Sequence, residues 1–330
     1  MSNGPGFTLP GRGLLPESFR QSKEYKRYTS RHFLGSFRAF IDEVACFGGG
    51  VLDPAQKSHL NEVAQSVVDT RGRGIEAWLT LQAYRQCLKR PETPAHLTVV
   101  TELAVAYYAK FAAYETLDDL PAFDNDPTRR NALSIWKKYG EETAILFAHV
   151  LSAYVNRTIL NLALDQPIKL QLLGELCLVD TQTLIGESIH LGAEDVALPD
   201  AINITLQAHA LKASSFGAHI MATAALAAQA PEEVATMRKL GYAMAACGQI
   251  VNDADYGAVE HDRETNAPNM ITAAGWKGAE EIFRKYKSLA EEILDRYEQP
   301  NKHLRKRLTE YEQLLTERAA KQGHSAITVL

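Results

Sequence analysis

Residues 103–130 read LAVAYYAKFAAYETLDDLPAFDNDPTRR, an apolar run that ends abruptly in acidic and basic residues. Small and aromatic residues fill nearly every helical position of the apolar part, which is typical of a helix buried on all sides. Pro121 ends that helix, so the chain can fold back and bring Asp124 towards Asp118 and Asp119. Carboxylates gathered in this way are candidate ligands for a cation.

The overall composition is that of a globular protein with a large core. Of the 330 residues, 46% are hydrophobic and 23% are charged, and the formal net charge is −5. Because there is no basic excess and no polybasic tract, neither nucleic acid nor an anionic membrane is an expected partner. No apolar run approaches the roughly 20 residues that a membrane span needs, and the N-terminus lacks the apolar segment of a signal peptide.

The cysteines indicate a reducing compartment, and we expect a cytoplasmic protein. They are scattered without the paired spacing of a metal site, so we expect buried free thiols at Cys46, Cys87, Cys177 and Cys247.

The pattern along the chain predicts a single all-α domain. Residues 1–30 are rich in Gly, Pro and Ser, and we expect them to form a flexible N-terminal arm. Over residues 31–330, apolar residues recur at spacings of three and four, and prolines and glycines divide the pattern into roughly ten helices. Segments 103–117 and 234–251 are apolar enough for the centre of a bundle.

A second polar cluster follows the segment 234–251. Asn252 and Asp253 come directly after it, and at about 3.6 residues per turn Asn252, Tyr256 and Glu260 would share one helix face. Facing carboxylate clusters repel each other unless cations lie between them, and their oxygens suit Mg²⁺. The pattern therefore predicts a magnesium site between the ends of two central helices. The alternative is that these acids are solvated residues at helix ends.

These motifs resemble those of the trans-isoprenyl diphosphate synthase superfamily. The stretch DDLPAFDNDPTRR (118–130) is similar to its first aspartate-rich motif, and GQIVNDADY (248–256) occupies the place of the second. GESIHL (186–191) and LKASSF (211–216) are similar to two further segments of the family. The second motif also resembles that of terpene cyclases, with Tyr256 in place of a serine.

The resemblance covers roughly residues 35–320 and implies a single-domain terpenoid-synthase-type helical bundle with a central apolar cavity. It implies a Mg²⁺-dependent enzyme, with three ions when an allylic prenyl diphosphate is bound, and a homodimer. The metal ligands that it implies are Asp118, Asp119, Asp124, Asn252, Asp253 and Glu260. The catalytic residues that the resemblance implies are Asp118, Asp119, Lys212 and Arg129. Gln249 is a further substrate-binding candidate.

The implied chemistry begins when an allylic carbon loses its diphosphate. Metal ions and cationic side chains neutralise the leaving group, and aromatic faces stabilise the carbocation in a site without water. Four aromatic residues recur at helical spacing near the first motif. They either pack the core or line a pocket that limits the length of the prenyl chain: Tyr107, Tyr108, Phe111 and Tyr114.

The acceptor side departs from the family pattern. Where the family binds isopentenyl diphosphate with a basic motif, this sequence reads RGRGIEAW (71–78). Arg73 can replace a lysine, but Gly74 and Glu76 stand where basic residues are expected. Phe111 replaces the usual histidine or glutamine. Because a carboxylate repels a diphosphate, we predict an acceptor other than isopentenyl diphosphate.

An electron-rich aromatic such as an indole, for example indole-3-glycerol phosphate, would suit this acceptor side. Arg73 and Arg130 would hold one phosphate, and Glu76 would accept an N–H or O–H bond. The pattern is similar to that of the geranylgeranyl transferases of fungal indole-diterpene pathways. It predicts a prenyltransferase of secondary metabolism with a C15 or C20 donor, such as geranylgeranyl diphosphate. The substrate-binding candidates are Arg73, Glu76, Phe111, Tyr114, Arg129, Arg130, Lys212 and Gln249.

Three other functions fit the same motifs. A class I terpene synthase would cyclise the cation, although no arginine lies between Arg157 and Arg238, where microbial cyclases carry a diphosphate sensor. An ordinary chain-elongating synthase would use isopentenyl diphosphate. A silent regulatory subunit tends to lose the first motif, which is intact here. His190 is either an ordinary helix residue or a general base for the acceptor.

Overall fold

The computed structural model describes residues 22–46, 52–70, 74–130, 132–192, 198–265, 267–299 and 301–324. Arg73, one of the predicted acceptor-binding residues, lies outside the described residues, as do the first 21 residues of the predicted N-terminal arm.

Helices make up nearly all of the described chain, which confirms the all-α prediction. The α-helical segments in these ranges are α1 (Ser22–Cys46), α2 (Pro54–Thr70), α3 (Ile75–Cys87), α4 (Pro94–Asp118), α5 (Ile135–Tyr139), α6 (Glu141–Asn161), α7 (Gln166–Leu191), α8 (Leu198–His209), α9 (Ser215–Ala227), α10 (Val234–Asp253), α11 (Tyr256–Thr265), α12 (Met270–Asp295) and α13 (Lys302–Lys321). A π-helical turn (Ala210–Ser214) joins α8 to α9, and a 3₁₀ turn (Pro231–Glu233) precedes α10. Two short antiparallel strands, β1 (Thr128–Arg129) and β2 (Ala132–Leu133), form a hairpin after α4.

Helix α1 corrects the predicted boundary of the N-terminal arm. It begins at Ser22, so residues 22–30 are helical although they were assigned to the arm. Its apolar side belongs to the core, where the Phe33 ring lies 5.5 Å from that of Tyr108 and the Phe37 ring lies 5.7 Å from that of Phe147. The helical pattern therefore extends further towards the N-terminus than the composition indicated.

Helix α4 is central, as its sequence predicts. Pro94 occupies its first turn, and the Thr93 hydroxyl accepts the His96 N–H bond at 3.3 Å, which caps the start of the helix. Most side chains over residues 99–116 are buried, because α4 packs against α1, α3, α6 and α9. The first aspartate motif is consequently held at the end of a rigid central element.

Helix α9 is the second helix buried on all sides, although sequence analysis assigned that place to residues 234–251. Every residue of α9 is buried, whereas the first turns of α10 are partly exposed. Small residues let these two helices approach closely. A Cβ on Gly217 would lie 2.7 Å from the carbonyl oxygen of Gly241, so this crossing requires glycine.

One contiguous hydrophobic core runs from Phe33 in α1 to Leu315 in α13. A single core of this kind accords with one domain. The domain boundary at residue 330 stays a prediction.

Helix α6 is the one described helix whose length and composition would suffice to cross a membrane. Core helices of globular proteins meet the same criterion. The α6 side chains Phe147, Leu151 and Val155 are buried, and the helix packs along α4. Its composition is therefore weak evidence for a membrane span.

The cysteines match the prediction at two positions. Cys87 and Cys247 are buried free thiols, and burial raises the pKa of each to about 12. Cys177 is exposed on α7, so the prediction of burial was wrong there.

Candidate active site

The first aspartate motif folds back onto the end of α4, as Pro121 predicts. The backbone N–H of Asp124 donates to the Asp118 carbonyl at 2.9 Å, and the N–H of Asp126 donates to the Asp119 carbonyl at 3.1 Å. The hairpin that follows returns Arg129 to the same helix end. The loop therefore gathers acids and arginines at one place.

Asp119 and Arg129 form a buried ion pair. Arg129 Nε donates to the two carboxylate oxygens of Asp119 at 2.8 and 3.0 Å, and its Nη1 donates to Glu115 at 3.0 Å. Burial alone would lower the pKa of Arg129, but the bond to Asp119 and the Glu115 charge raise it. Burial raises the pKa of Asp119 to about 6, although Arg129 opposes the shift. With both oxygens engaged, Asp119 positions Arg129.

Lys212 lies among several acids and one imidazole. Its ammonium nitrogen is 2.5 Å from Glu187 Oε2, 3.5 Å from Asp118 Oδ2 and 3.4 Å from His190 Nδ1. Burial raises the pKa of Asp118 to about 7, although Lys212 opposes the shift. Burial would lower the pKa of Lys212, but the charges of Asp118, Asp124 and Glu187 raise it. Lys212 therefore stays cationic and supplies the positive charge that these carboxylates require.

The side chains beside Lys212 fit a divalent cation. Single ligand atoms of Asp124, Glu187 and His190 lie within 4.8 Å of one another. Carboxylate oxygens suit Mg²⁺, and burial and Lys212 lower the pKa of His190, which keeps its imidazole in the neutral form that binds metals. Asp124, Glu187 and His190 are thus positioned to share a cation, and Asp118 lies next to them across Lys212. Glu187 was not among the predicted ligands.

The π-helical turn positions Lys212. Inserting one residue into a helical turn widens it, and such turns are frequent at functional sites. Gly186 of α7 makes room for this turn, because a Cβ there would lie 2.6 Å from the Lys212 backbone nitrogen. One turn earlier, His209 Nε2 lies 3.4 Å from Asp253 Oδ2. The segment 209–212 therefore contacts both aspartate motifs.

The second motif differs from its predicted geometry. Helix α10 ends at Asp253 and α11 begins at Tyr256, so Asn252 and Glu260 lie on two helices and do not share one helix face. Asn252, Tyr256 and Glu260 are exposed.

Asp253 is buried and already bound by protein donors. It accepts hydrogen bonds at 2.8 Å from the Gln249 side chain and from the Met270 backbone N–H, which fixes the start of α12. Gln249 and Asp253 thus hold the helix ends together, and the third metal site that was predicted here stays a prediction.

Aromatic side chains fill the space beneath the first motif. The Phe216 ring of α9 lies 5.5 Å from Phe111, 5.6 Å from Tyr114 and 6.5 Å from Tyr107, and we call these four residues the aromatic column. Tyr108 faces α1 instead, so the four predicted aromatics do not line one wall.

A polar contact anchors the top of the aromatic column. The Tyr114 hydroxyl donates to Asp180 of α7, and Lys110 pairs with the same carboxylate at 2.7 Å. The aromatic face of Tyr114 is thereby held below Asp118, which lies one helical turn further along α4.

A small apolar cavity lies on the other side of the π-helical turn, between α8, α10 and α12. It is lined by Leu206, His209, Ala210, Ser214, Tyr242, Ala246, Ile250, Met270, Ile282 and Tyr286. The cavity shares no residue with the aromatic column, whose side chains fill the space beneath the first motif.

The acceptor side contains buried charge. Glu76 is 4% exposed in the first turn of α3, where a helix N-terminus favours an acid. Arg130 donates to the Thr70 carbonyl at the end of α2 and to Glu115, both at 3.1 Å.

Sequence analysis missed Glu115. It is one of two charged residues in the run 103–117, the other being Lys110, and that charge was the signal that could have identified it.

The comparisons with known proteins agree with these motifs. The sequence matches the model of the family described as Polyprenyl synthetase over residues 57–265. Among curated proteins, it is 38% identical over 81 residues to a protein of Bradyrhizobium diazoefficiens named "Probable farnesyl diphosphate synthase", which is 24% of each chain. It is 46% identical over 57 residues to the farnesyl diphosphate synthase of Micrococcus luteus, or 17% of this chain and 20% of that one. The matched segments span about a quarter or less of these relatives.

Solved structures match almost the whole described fold. A geranyltransferase from Helicobacter pylori, in complex with magnesium and isoprenyl diphosphate, superposes with a TM-score of 0.66 at 17% identity, covering 90% of this chain and 98% of that one. An isoprenoid synthase family member from Thermotoga neapolitana gives a TM-score of 0.66 at 20% identity over 88% of this chain and 98% of that one. At this identity the likeness establishes the helical-bundle fold alone.

Proposed function

Because the chain belongs to the polyprenyl synthetase family, we propose that it is a Mg²⁺-dependent prenyltransferase that ionises an allylic prenyl diphosphate. The observation that carries this proposal is the convergence of Asp118, Asp124 and Lys212 at the end of α4, directly above the aromatic column. Arg129 adds a second fixed cation.

The cationic side chains would act on the leaving group. As the C1–O bond breaks, its electron pair goes to the diphosphate, and Lys212 and Arg129 would stabilise that charge. Mg²⁺, held by Asp118 and Asp124, would supply further neutralisation of the diphosphate. Asp119 would serve by orienting Arg129, and the count of three ions is part of the proposal.

The aromatic column would serve the prenyl chain. Its rings are largely buried, so they exclude water from the carbocation and present aromatic faces to it. Tyr114 and Phe111, one and two turns below Asp118, are placed to limit how far a donor chain extends along α4. The donor length, C15 or C20, stays a prediction.

The comparisons change our prediction that the acceptor is a molecule other than isopentenyl diphosphate. The relatives are named farnesyl diphosphate synthases, so chain elongation with isopentenyl diphosphate fits the comparisons better than transfer to an indole. They give no support to secondary metabolism or to cyclisation. Chain elongation is therefore the first candidate for the acceptor step. Transfer to a different acceptor is the second candidate, and the buried acids Glu76 and Glu115 are the observations that favour it.

A silent regulatory subunit accords poorly with the site. Asp118, Asp124, Lys212 and Arg129 are all present at the end of α4, whereas a silent subunit tends to lose the first motif.

A homodimer and a cytoplasmic location are also part of the proposal. Exposed apolar side chains on the neighbouring helices α6 and α7 offer a surface for a second copy: Leu146, Leu160, Leu170, Leu178, Leu184 and Ile185.

The test is to incubate the protein with C10, C15 and C20 allylic diphosphates and Mg²⁺, alone, with isopentenyl diphosphate or with indole-3-glycerol phosphate. Release of diphosphate and the organic products are measured. We expect release with at least one donor, and loss of release in EDTA and in Asp118→Ala. A longer prenyl diphosphate would assign chain elongation, whereas a hydrocarbon formed without acceptor would assign cyclisation. No release from any donor would refute the proposal.

A further inference from the structure

Glu187 of α7 carries a buried carboxylate oxygen without a protein donor. Its side chain is 10% exposed, and Oε2 lies 2.5 Å from the Lys212 ammonium nitrogen. The other oxygen, Oε1, is fully buried and has no hydrogen-bond partner among the described residues. Burying an anionic oxygen costs free energy unless a donor or a cation reaches it. Oε1 therefore indicates a ligand that the chain itself does not supply.

His190, about one helical turn after Glu187 on α7, directs a ring nitrogen towards the same place. Its Nδ1 lies 3.4 Å from the Lys212 ammonium nitrogen. An ammonium group has donors and no acceptor, so Nδ1 accepts and is the unprotonated nitrogen of the neutral ring. The lone pair that a metal ion would use is therefore directed into the cluster.

The local charges leave room for one divalent ion. The single positive charge of Lys212 faces the negative charges of three acids: Asp118, Asp124 and Glu187. A divalent cation would make this group neutral as a whole, whereas without it the acids outnumber the base. Single ligand atoms of Asp124, Glu187 and His190 lie within 4.8 Å of one another, so one ion can contact all three.

The imidazole decides which class of ion fits best. Mg²⁺ takes oxygen ligands, whereas two carboxylates with one imidazole suit a divalent transition-metal ion such as Fe²⁺ or Co²⁺. We propose that Asp124, Glu187 and His190 form a site that prefers a divalent transition-metal ion to Mg²⁺. This inference rests on the proposed function and deepens it, because an ion at this place would neutralise the leaving diphosphate together with Lys212.

The test uses Co²⁺ as the probe and identifies its ligands by proton NMR, with no diphosphate present. An imidazole bound to Co²⁺ gives a strongly shifted ring N–H signal that disappears in heavy water. We expect this signal from the wild-type chain and its loss in His190→Asp, where an oxygen replaces the nitrogen. His59→Asp makes the same substitution at an exposed position on α2 and should keep the signal.

The affinities of the two ions give a second measurement. Calorimetric titrations with Co²⁺ and with Mg²⁺ yield the ratio of their affinities for each chain. Co²⁺ also binds sites made of oxygen alone, so the informative quantity is the change in this ratio. We expect His190→Asp to lower the preference for Co²⁺ about tenfold or more. His190→Gln, which removes the imidazole without adding charge, should lower it as well.

Two results would overturn the inference. One is a wild-type chain saturated with Co²⁺ that gives no shifted N–H signal, and this result requires no variant to fold. The other is a folded His190→Asp or His190→Gln chain, judged by its thermal transition, that keeps the shifted signal or the wild-type preference for Co²⁺. Failure of the proposed function is separate, since it is read from diphosphate release by the wild type.

Discussion

Gly186 of α7 lies directly against the backbone of Lys212, because a Cβ on residue 186 would stand 2.6 Å from the Lys212 amide nitrogen. Gly186→Ala must therefore displace the π-helical turn and move the ammonium group away from Asp118 and Glu187. We expect kcat/KM for diphosphate release to fall about 10- to 100-fold, since misplacing a catalytic group by about 1 Å has that effect. Overpacking should also cost about 1–3 kcal/mol of stability. Steady-state kinetics and thermal unfolding measure both.

The matched control is Gly174→Ala on the same helix. Nothing lies within 4 Å of a Cβ there, so the methyl group enters open space. Alanine favours a helix over glycine by about 0.5–1 kcal/mol, and we expect a slightly more stable protein with unchanged kinetics. If the two variants behave alike, Gly186 does not position Lys212.

The pH dependence of Mg²⁺ binding should follow Asp118. Burial raises the pKa of Asp118 from its ordinary 3.8 to about 7. Between these values the folded protein holds a proton that the unfolded chain has lost, so the metal-free protein loses stability as the pH rises towards 7. Mg²⁺ must displace that proton, and its affinity should therefore be about tenfold weaker at pH 6 than at pH 8.

Calorimetric titration with Mg²⁺ at pH 6, 7 and 8 checks this expectation. Asp118→Asn has no carboxylate to titrate, so its Mg²⁺ affinity should be weak and nearly independent of pH. Equal wild-type affinities at pH 6 and pH 8 would show that Asp118 is not the group that exchanges its proton for the metal.

The first motif could be predicted from sequence because its geometry is local. Pro121 ends α4, and the return of Asp124 to Asp118 uses backbone bonds that span only six residues. The second motif could not, because the Asp253 carboxylate is fixed by the Met270 N–H, 17 residues further along the chain. Such a contact decides where α10 ends, and helical periodicity carries no information about it.

The burial of Glu115 and the complete burial of helix α9 could not be predicted either, because both depend on tertiary contacts. Glu115 lies within an apolar run, and only the tertiary approach of the arginine pair explains how an acid is tolerated there. Helix α9 is short and rich in alanine, and its complete burial depends on the close crossing at Gly217.

Phe216 should help to set the length of the donor. Its ring contacts three aromatic side chains of α4, so Phe216→Leu opens space below the first motif. We expect the ratio of kcat/KM for the C20 donor to that for the C10 donor to rise about tenfold, which is typical when a hydrophobic pocket gains room. Kinetics with C10, C15 and C20 diphosphates measure this ratio.

Phe33→Leu makes the same chemical change on the opposite side of α4, where Phe33 contacts Tyr108. It should reduce stability without changing the preference among donors. A similar shift in both variants would mean that donor preference reflects general loosening of the core and not the aromatic column.

The apolar faces of α6 and α7 should join two copies of the chain. Leu146 on α6 is 65% exposed and Leu178 on α7 is 48% exposed, and they belong to a cluster of exposed apolar side chains on these two neighbouring helices. We expect the wild type to be a homodimer and Leu146→Glu or Leu178→Glu to be a monomer, because an unpaired carboxylate in an apolar interface is strongly unfavourable. Sedimentation equilibrium measures the mass.

Ile202→Glu places the same charge at a 37% exposed position on α8 and should leave the dimer intact. A dimer that survives both leucine substitutions would place the interface on another surface, whereas dissociation of the Ile202 variant as well would indicate a general effect of added charge.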